Sequence, residues 1–110
     1  MHVDRIELRR VAMPLVRPFT TSFGTQTTRD VLLVRVDADG VEGWGECVAI
    51  SSPMYSSEFT DGAMLVLEQF LAPAVLDADH VTADGFADRV GWIHGHRMAK
   101  GALEMALLDA

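Results

Sequence analysis

Few residues in this 110-residue sequence combine a type and a spacing that suit chemistry. His94 and His96 flank Gly95, and two imidazoles so close together suggest a metal ion. A mononuclear zinc site needs three or four protein ligands, and the neighbouring sequence predicts no third one. The tripeptide therefore predicts a polar turn that leads into the last helix.

Two carboxylates, Glu42 and Glu46, lie four residues apart in a segment that predicts a strand, so they share one face of it. Paired carboxylates perform acid–base catalysis when a base or a metal accompanies them, and neither is predicted nearby. We expect Glu42 to be solvated and Glu46 to be structural, bonding to backbone or holding a loop. Cys47 has no activating partner in the sequence and is expected to be a packed thiol.

Lys100 and Glu104 form an i, i+4 pair on the last predicted helix, in the weaker of the two orientations. A catalytic lysine must be buried and partnered, which nothing in the sequence indicates. Gly43 and Gly45 do not precede a helix in the pattern of a phosphate-binding loop. This pair predicts instead the close approach of another backbone segment, or a local bend.

The segments that must position these residues predict an α+β fold, a three-stranded antiparallel meander followed by a helical bundle. Alternating and β-branched residues place the strands at about 3–16, 30–37 and 41–49. The alternation slips at 9–11, which predicts a bulge. Asp37-Ala38-Asp39-Gly40 predicts the hairpin turn between the last two strands, with Gly40 at positive φ.

Helices are expected at about 57–72 and 82–93, and a last helix from His96. Ser57 is expected to cap the first, with Glu58 and Asp61 in its first turns, and Pro73 to end or kink it. The last helix carries a stripe of small apolar residues: Ala99, Ala102, Leu103, Ala106, Leu107 and Ala110. No helix-stop signal follows, so we expect the helix to continue beyond Ala110, with 1–95 as one domain and 96–110 leading out of it.

Two polar segments carry large apolar residues and form the candidate binding site. The first segment, residues 17–29, and the second segment, residues 50–57, both read as loops. Their large side chains are Phe19 and Phe23 in the first segment, and Ile50 and Tyr55 in the second. One segment precedes the second strand and the other follows the third, so both should leave the same end of the hairpin. These side chains either anchor the segments on the core or line a ligand cavity.

Composition narrows the classes of function. A formal net charge of -7 without a basic patch argues against binding to nucleic acid. One cysteine excludes an internal disulfide, and we find neither a signal pattern nor an apolar run of the ~18 residues that span a membrane. We therefore expect a cytoplasmic protein without a membrane partner. A hydrophobic fraction of 49% predicts apolar surface that something outside these residues covers.

Four strings in this order resemble the N-terminal capping domain of the enolase superfamily. They are residues 18–27, 42–47, 53–58 and 95–106. The chain is most similar to the muconate-lactonizing subgroup, and within it to the branch of o-succinylbenzoate synthases and N-acylamino acid (N-succinylamino acid) racemases. A Gly-Trp-Gly-Glu string alone is weak evidence, but the loop strings together with Gly-His-Arg-Met-Ala-Lys are specific.

The resemblance implies a (β/α)7β barrel after this cap, with a Mg²⁺ site of three carboxylates and two opposed lysines. One lysine would remove a proton α to a substrate carboxylate, followed by dehydration, as in menaquinone synthesis, or by reprotonation on the other face. Catalytic residues and metal ligands would then lie outside this chain, in a homo-oligomeric parent enzyme. The cap would supply the substrate-contacting residues: Phe19, Phe23, Ile50 and Tyr55.

Two other interpretations stay open. A dipeptide epimerase or a muconate cycloisomerase would have the same cap, although the apolar residues of the two segments suit an aromatic side chain better than a charged dipeptide. A stand-alone, non-enzymatic binding domain would fold and bind an aromatic acid by itself. We expect instead that the isolated chain is inactive, marginally stable, and self-associates through an exposed stripe on its last helix.

Overall fold

A computed structural model describes residues 1–21, 24–49 and 57–110, and among these the side chains outside 15–29. One antiparallel sheet has the order β1-β2-β3, and helices pack on one of its faces. The strands are β1 (Val3–Thr21), β2 (Gly24–Ala38) and β3 (Val41–Cys47). The helical elements are α1 (Thr60–Val66), a π-helical turn (Leu67–Leu71), α2 (Ala72–Leu76), α3 (Phe86–Arg89) and α4 (Arg97–Asp109). The predicted α+β class and meander are confirmed.

Alternation along β2 builds the centre of the core. Leu32, Val34 and Val36 face the helices and are 1%, 0% and 0% exposed, while their neighbours lie on the outer face of the sheet. Asp39 at φ 52° and Gly40 at φ 81° form the turn between β2 and β3. Positive φ at both positions is the geometry that an Asp-Gly hairpin supplies, so the predicted turn is confirmed.

β1 and β2 run well beyond their predicted ends, and β3 ends at Cys47 rather than at residue 49. The first segment was expected to be a loop, and this is wrong, because both its arms have strand backbone with Phe19 opposite Gln26 and Thr21 opposite Gly24. Its many threonines are polar, which is typical of loops. Their β-branched side chains nevertheless favour extended backbone once a partner strand lies alongside.

Pairing between β1 and β2 is unbroken at residues 9–11, so the bulge predicted there is wrong. The register shifts lie between Val3 and Arg5 and between Pro14 and Phe19. The alternation of the sequence slips for a different reason. Val11 and Met13 lie on the outer face, where they are 37% and 51% exposed, while Arg10 occupies a position on the inner face.

The first helix continues through Pro73 instead of ending there. It begins at Thr60, so the prediction that Ser57 caps it is wrong. Leu67–Leu71 form a π-helical turn, in which the Ala72 N–H bonds to the first carbonyl of the turn. Because proline has no N–H and its ring crowds the preceding turn, the wider π turn accommodates it without a break.

The helix predicted over 82–93 is much shorter, since only Phe86–Arg89 is helical. Thr82 Oγ1 accepts the Gly85 N–H at 2.9 Å, which favours a turn over a helix at this point. The apolar positions of the prediction are nevertheless correct. Phe86, Val90 and Ile93 are 1%, 1% and 8% exposed.

α4 completes the core by packing on β3. The stripe on its inner side is buried: Ala99, Ala102, Leu103, Ala106 and Leu107 are all at most 1% exposed. The expectation of an exposed stripe is therefore wrong. A Cβ built at Gly45 would lie 2.0 Å from the Ala102 carbonyl oxygen, and one at Gly43 2.1 Å from that of Ala106. The close backbone approach predicted from this glycine pair is confirmed.

Candidate functional site

The four residues predicted to contact substrate fall largely outside the described part of the chain. Phe23, Ile50 and Tyr55 lie outside the described residues, and for Phe19 the structure gives the backbone, paired with Gln26. The structure does describe the residues that flank the two segments, which we call their support. The support consists of the strand ends, the beginning of α1 and the beginning of α4.

Both segments leave the same end of the sheet. β3 ends at Cys47, which pairs with Leu32 of β2, and Ala49 leads from there into the second segment. Beyond this point β1 and β2 continue as a two-stranded hairpin to the Thr21–Gly24 pair. The second segment therefore starts beside the base of the hairpin that carries the first.

An ion cluster ties the base of the first segment to α1. Arg10 on β1 donates to the Asp30 carboxylate of β2 through Nε, at 3.0 and 3.1 Å, and through Nη2, at 2.6 Å. Its Nη1 bonds to Asp61 in the first turn of α1. The hydrogen bonds and charge of Arg10 hold the pKa of Asp30 below its ordinary value, and bonds to both carboxylates raise the pKa of Arg10. Arg10 and Asp30 therefore stay ionised at neutral pH, and neither acts as an acid or a base.

Thr60 joins the two ends of the second segment at its base. Its side chain is buried, at 1% exposure, and Oγ1 donates to the Ala49 carbonyl oxygen across 3.3 Å. Thr60 also helps to lower the pKa of the Asp30 carboxyl, after the larger effect of Arg10. In the chain, Thr60 directly precedes Asp61, which is bound to Arg10. Thr60 thereby connects the start of the second segment to the ion cluster at the base of the first.

Glu58 fixes the end of the second segment to α4. Its two carboxylate oxygens accept the Met98 N–H at 2.9 Å each, and one of them accepts the Ala99 N–H at 3.2 Å. His96, the N-cap residue at φ 56°, makes no side-chain capping bond. The negative charge that the N-terminus of α4 favours therefore comes from a residue distant in sequence. From the sequence we expected Glu58 in the first turns of its own helix. Its carboxylate instead caps α4, a helix that begins later in the chain, at Arg97.

The remaining candidates have structural environments. Glu42 is 55% exposed and bonds Arg35 at 3.0 Å, so it is solvated as predicted and also ion-paired. Glu46 lies on the same face and is partly buried, and its structural role stays a prediction. Cys47 is 2% exposed and burial raises the pKa of its thiol, which confirms a packed cysteine. Lys100 Nζ donates to the Ile93 carbonyl oxygen.

The described residues do not fit a magnesium ion. His94 and His96 are both exposed. In the described ranges, 1–21, 24–49 and 57–110, no three His, Cys, Asp or Glu side chains gather where they could hold a metal. Asp30 and Asp61, two carboxylates at the bases of the segments, are both bound to Arg10. Among the helices that the structure describes, none has the length and apolar character needed to cross a membrane.

Comparison with known proteins gives matches over the whole chain. The profile of the mandelate racemase / muconate lactonizing enzyme N-terminal domain matches residues 5–110. An N-succinylamino acid racemase of Amycolatopsis sp is 56% identical over 110 residues, which are 100% of this chain and 30% of that enzyme. An o-succinylbenzoate synthase of Geobacillus stearothermophilus is 42% identical over 99% of this chain and 29% of its own length.

Solved structures give the same picture. An enolase-superfamily protein from Listeria innocua superposes with a TM-score of 0.93 at 30% identity, over 100% of this chain and 30% of that protein. A muconate lactonizing enzyme from Pseudomonas fluorescens, complexed with muconolactone, gives a TM-score of 0.91 at 32% identity over 99% of this chain and 30% of its own. The chain thus spans about 30% of the length of these relatives.

Proposed function

The chain belongs to the mandelate racemase / muconate lactonizing enzyme family, as its N-terminal domain, and we propose that it is the substrate-specificity cap of a longer enzyme. The proposed enzyme removes a proton α to the carboxylate of a small-molecule substrate, as an o-succinylbenzoate synthase, an N-succinylamino acid racemase, or both. The observation that carries this proposal is the 56% identity, over the whole chain, to an N-succinylamino acid racemase.

The described geometry supports a binding role for this domain rather than a catalytic one. Both polar segments leave one end of the sheet, above an ion cluster whose charges are already paired. The thiol of Cys47 is buried and protonated, so it is no nucleophile. We assign to the domain the task of closing over the substrate, with Phe19, Phe23, Ile50 and Tyr55 contacting its apolar part.

The rest of the proposed enzyme is a C-terminal barrel that supplies the catalytic lysines and a Mg²⁺ site. We expect the ligands of the ion to lie in that barrel, since no three His, Cys, Asp or Glu side chains gather into a metal site among the described residues of this chain. A role in menaquinone synthesis, a cytoplasmic location and a homo-oligomeric assembly belong to the same proposal. They are supported by the resemblance, and the cytoplasmic location also by the single cysteine of the sequence.

A muconate cycloisomerase is the second candidate. It is favoured by the likeness in fold to the muconate lactonizing enzyme, at a TM-score of 0.91. The identity to that protein is 32%, against 56% for the racemase, so we rank it second. Lactonization of cis,cis-muconate by the full-length protein, in excess over its other activities, would reverse this order.

The test is turnover by the full-length protein with Mg²⁺. Racemisation of N-succinyl-phenylalanine and dehydration of the cyclohexadiene substrate of the synthase are measured side by side, and at least one is expected. Phe19→Ala should then lower kcat/KM about tenfold or more, because an apolar contact in a pocket is worth roughly 1–3 kcal/mol.

Phe70→Ala is the matched control, since it removes the same phenyl group at a position that is 45% exposed on the helical layer. Its kcat/KM should stay close to that of the wild type. A full-length protein with neither activity would overturn the proposed function. Equal losses in Phe19→Ala and Phe70→Ala would overturn the role of Phe19 alone.

A further inference from the structure

We propose that Arg10, Asp30, Thr60 and Asp61 form a latch that couples the first and second segments, so that neither can shift without the other. The latch is a positioning element that acts on substrate preference through the two segments. This inference rests on the proposed function of the domain as a specificity cap.

The latch lies where the two segments begin and end. Asp30 directly follows the first segment, and Ala49 directly precedes the second. Arg10 reaches both Asp30 on β2 and Asp61 on α1, so one guanidinium spans the two strands of the hairpin and the helix that follows the second segment. A planar guanidinium with several donors in fixed directions holds two carboxylates in one geometry.

Thr60 extends the latch to the second segment. Its hydroxyl donates to the Ala49 carbonyl oxygen, at the start of that segment, and the next residue, Asp61, is bound to Arg10. Because Thr60 is only 1% exposed, bulk water cannot replace its hydrogen bond if that bond is lost. A displacement of either segment base therefore alters the bonding of the other, which is the requirement for coupling through a contiguous network.

The other ion pairs among the described side chains of the sheet do not have this reach. Arg9 bonds Glu7, two residues away on the same strand, at 3.1 Å. Arg35 bonds Asp37 at 3.1 Å and Glu42 of the adjacent strand at 3.0 Å. These pairs lie on the outer face and join neighbours within the sheet, whereas Arg10 joins the sheet to a helix across the base of the site.

The experiment compares Arg10→Gln, Thr60→Val and Thr60→Ser in the full-length enzyme. The measured quantity is the ratio of kcat/KM for N-succinyl-phenylalanine to that for N-succinyl-alanine. Arg10→Gln and Thr60→Val should change this ratio about threefold to tenfold, mainly through KM, as expected for coupling between residues of one network. Thr60→Ser keeps the hydroxyl and should restore the wild-type ratio.

Arg9→Gln is the matched control, because it removes an ion-paired arginine from the adjacent position of the same strand. Its ratio should equal that of the wild type. Ratios unchanged in folded Arg10→Gln and Thr60→Val proteins would overturn the latch. So would a change of ratio in Arg9→Gln as large as in Arg10→Gln.

Hydrogen exchange tests the latch without relying on turnover. In the full-length protein, Arg10→Gln should raise amide exchange in residues 17–29 and also in 50–57, and Arg9→Gln in neither. Faster exchange in only one segment contradicts the coupling. Suppose that Arg10→Gln raises exchange in both segments but the wild-type protein has neither activity. This outcome would refute the proposed function and leave the latch intact.

Discussion

Replacing Gly45 by alanine should disrupt the contact between β3 and α4. The added Cβ would lie 2.0 Å from the Ala102 carbonyl oxygen, and 3.0 Å from both the Ala102 carbonyl carbon and the Ala106 nitrogen. Non-bonded heavy atoms are most stable at about 3.5 Å, so α4 has to withdraw by more than about 1 Å. All three atoms belong to the backbone, so no side-chain rotation can relieve the clash.

The withdrawal affects the whole inner side of α4. A radial gap of 0.5–1 Å already forfeits roughly a quarter to a half of the dispersion energy between facing atoms. The residues that lose contacts are Ala99, Ala102, Leu103, Ala106 and Leu107. Overpacking typically costs about 1–3 kcal/mol where side chains can adjust. We expect Gly45→Ala to destabilise the fold by about 3 kcal/mol or more, because rigid backbone faces rigid backbone here.

Urea unfolding of the 110-residue chain, followed by tryptophan fluorescence and circular dichroism, measures the loss. Gly101→Ala is the control on the same helix, since a Cβ there meets nothing within 4 Å. It should stabilise by about 0.5–1 kcal/mol, because glycine in a helix interior is unfavourable. If Gly45→Ala does not fold, Gly43→Ala is the alternative: its Cβ would lie 2.1 Å from the Ala106 carbonyl oxygen and 2.5 Å from the Ala110 nitrogen, but at the end of α4, where the last turn can shift without the rest of the helix.

A free energy of unfolding for Gly45→Ala within about 0.5 kcal/mol of the wild type, the usual range for surface substitutions, would contradict the predicted clash. So would a loss of stability in Gly101→Ala as large as in Gly45→Ala. Either result would mean that β3 and α4 are not in backbone contact. Light scattering on the same samples measures separately whether the wild-type chain self-associates.

Two further predictions concern the supports of the second and first segments. Glu58→Gln should destabilise by about 1 kcal/mol in urea unfolding, because the amide still accepts from α4 but lacks the charge that the helix dipole favours. An unchanged midpoint would contradict this cap. Asp30→Asn should lower the urea midpoint at pH 7, and the gap to the wild type should close as the pH falls. The pKa of Asp30 is lowered in the folded protein, so its contribution is complete above the unfolded value of about 3.9 and is lost as the pH falls through the folded pKa. A difference in urea midpoint between Asp30→Asn and the wild type that does not change with pH would contradict this prediction.

Local signals predicted the elements whose cause is local. The Asp39-Gly40 turn needs positive φ at two successive residues, and few dipeptides supply it. The alternation of β2 and the stripe of α4 each follow from one face being buried. The Gly43–Gly45 pair predicted close approach correctly, because a side chain is missing where one would otherwise stand. It could not say which element approaches, since that choice belongs to tertiary packing.

The support of the candidate site was missed for the same reason. Arg10 bonds Asp30, 20 residues away, and Asp61, 51 residues away. No periodicity connects such positions. An arginine on an alternating strand is typical of a solvated face, so nothing marked Arg10 as different from Arg9. The first segment was misread because its threonines are compatible with both a loop and a strand, and pairing across the hairpin decides between the two.

The residues that flank the second segment, Ala49 and Glu58, are held by contacts with α1 and α4. Glu58 holds the end of that segment by the first N–H groups of α4, and α4 is held at a fixed depth by the two glycines of β3. Thr60 holds its start through the Ala49 carbonyl, two residues after β3 ends. Both anchors thus lead back to β3. The proposed selection of substrates through the two segments requires such anchoring, because groups that contact substrate must be held by packing and hydrogen bonds to within a fraction of an ångström. Substitutions in the core of this domain should therefore change substrate preference as well as stability.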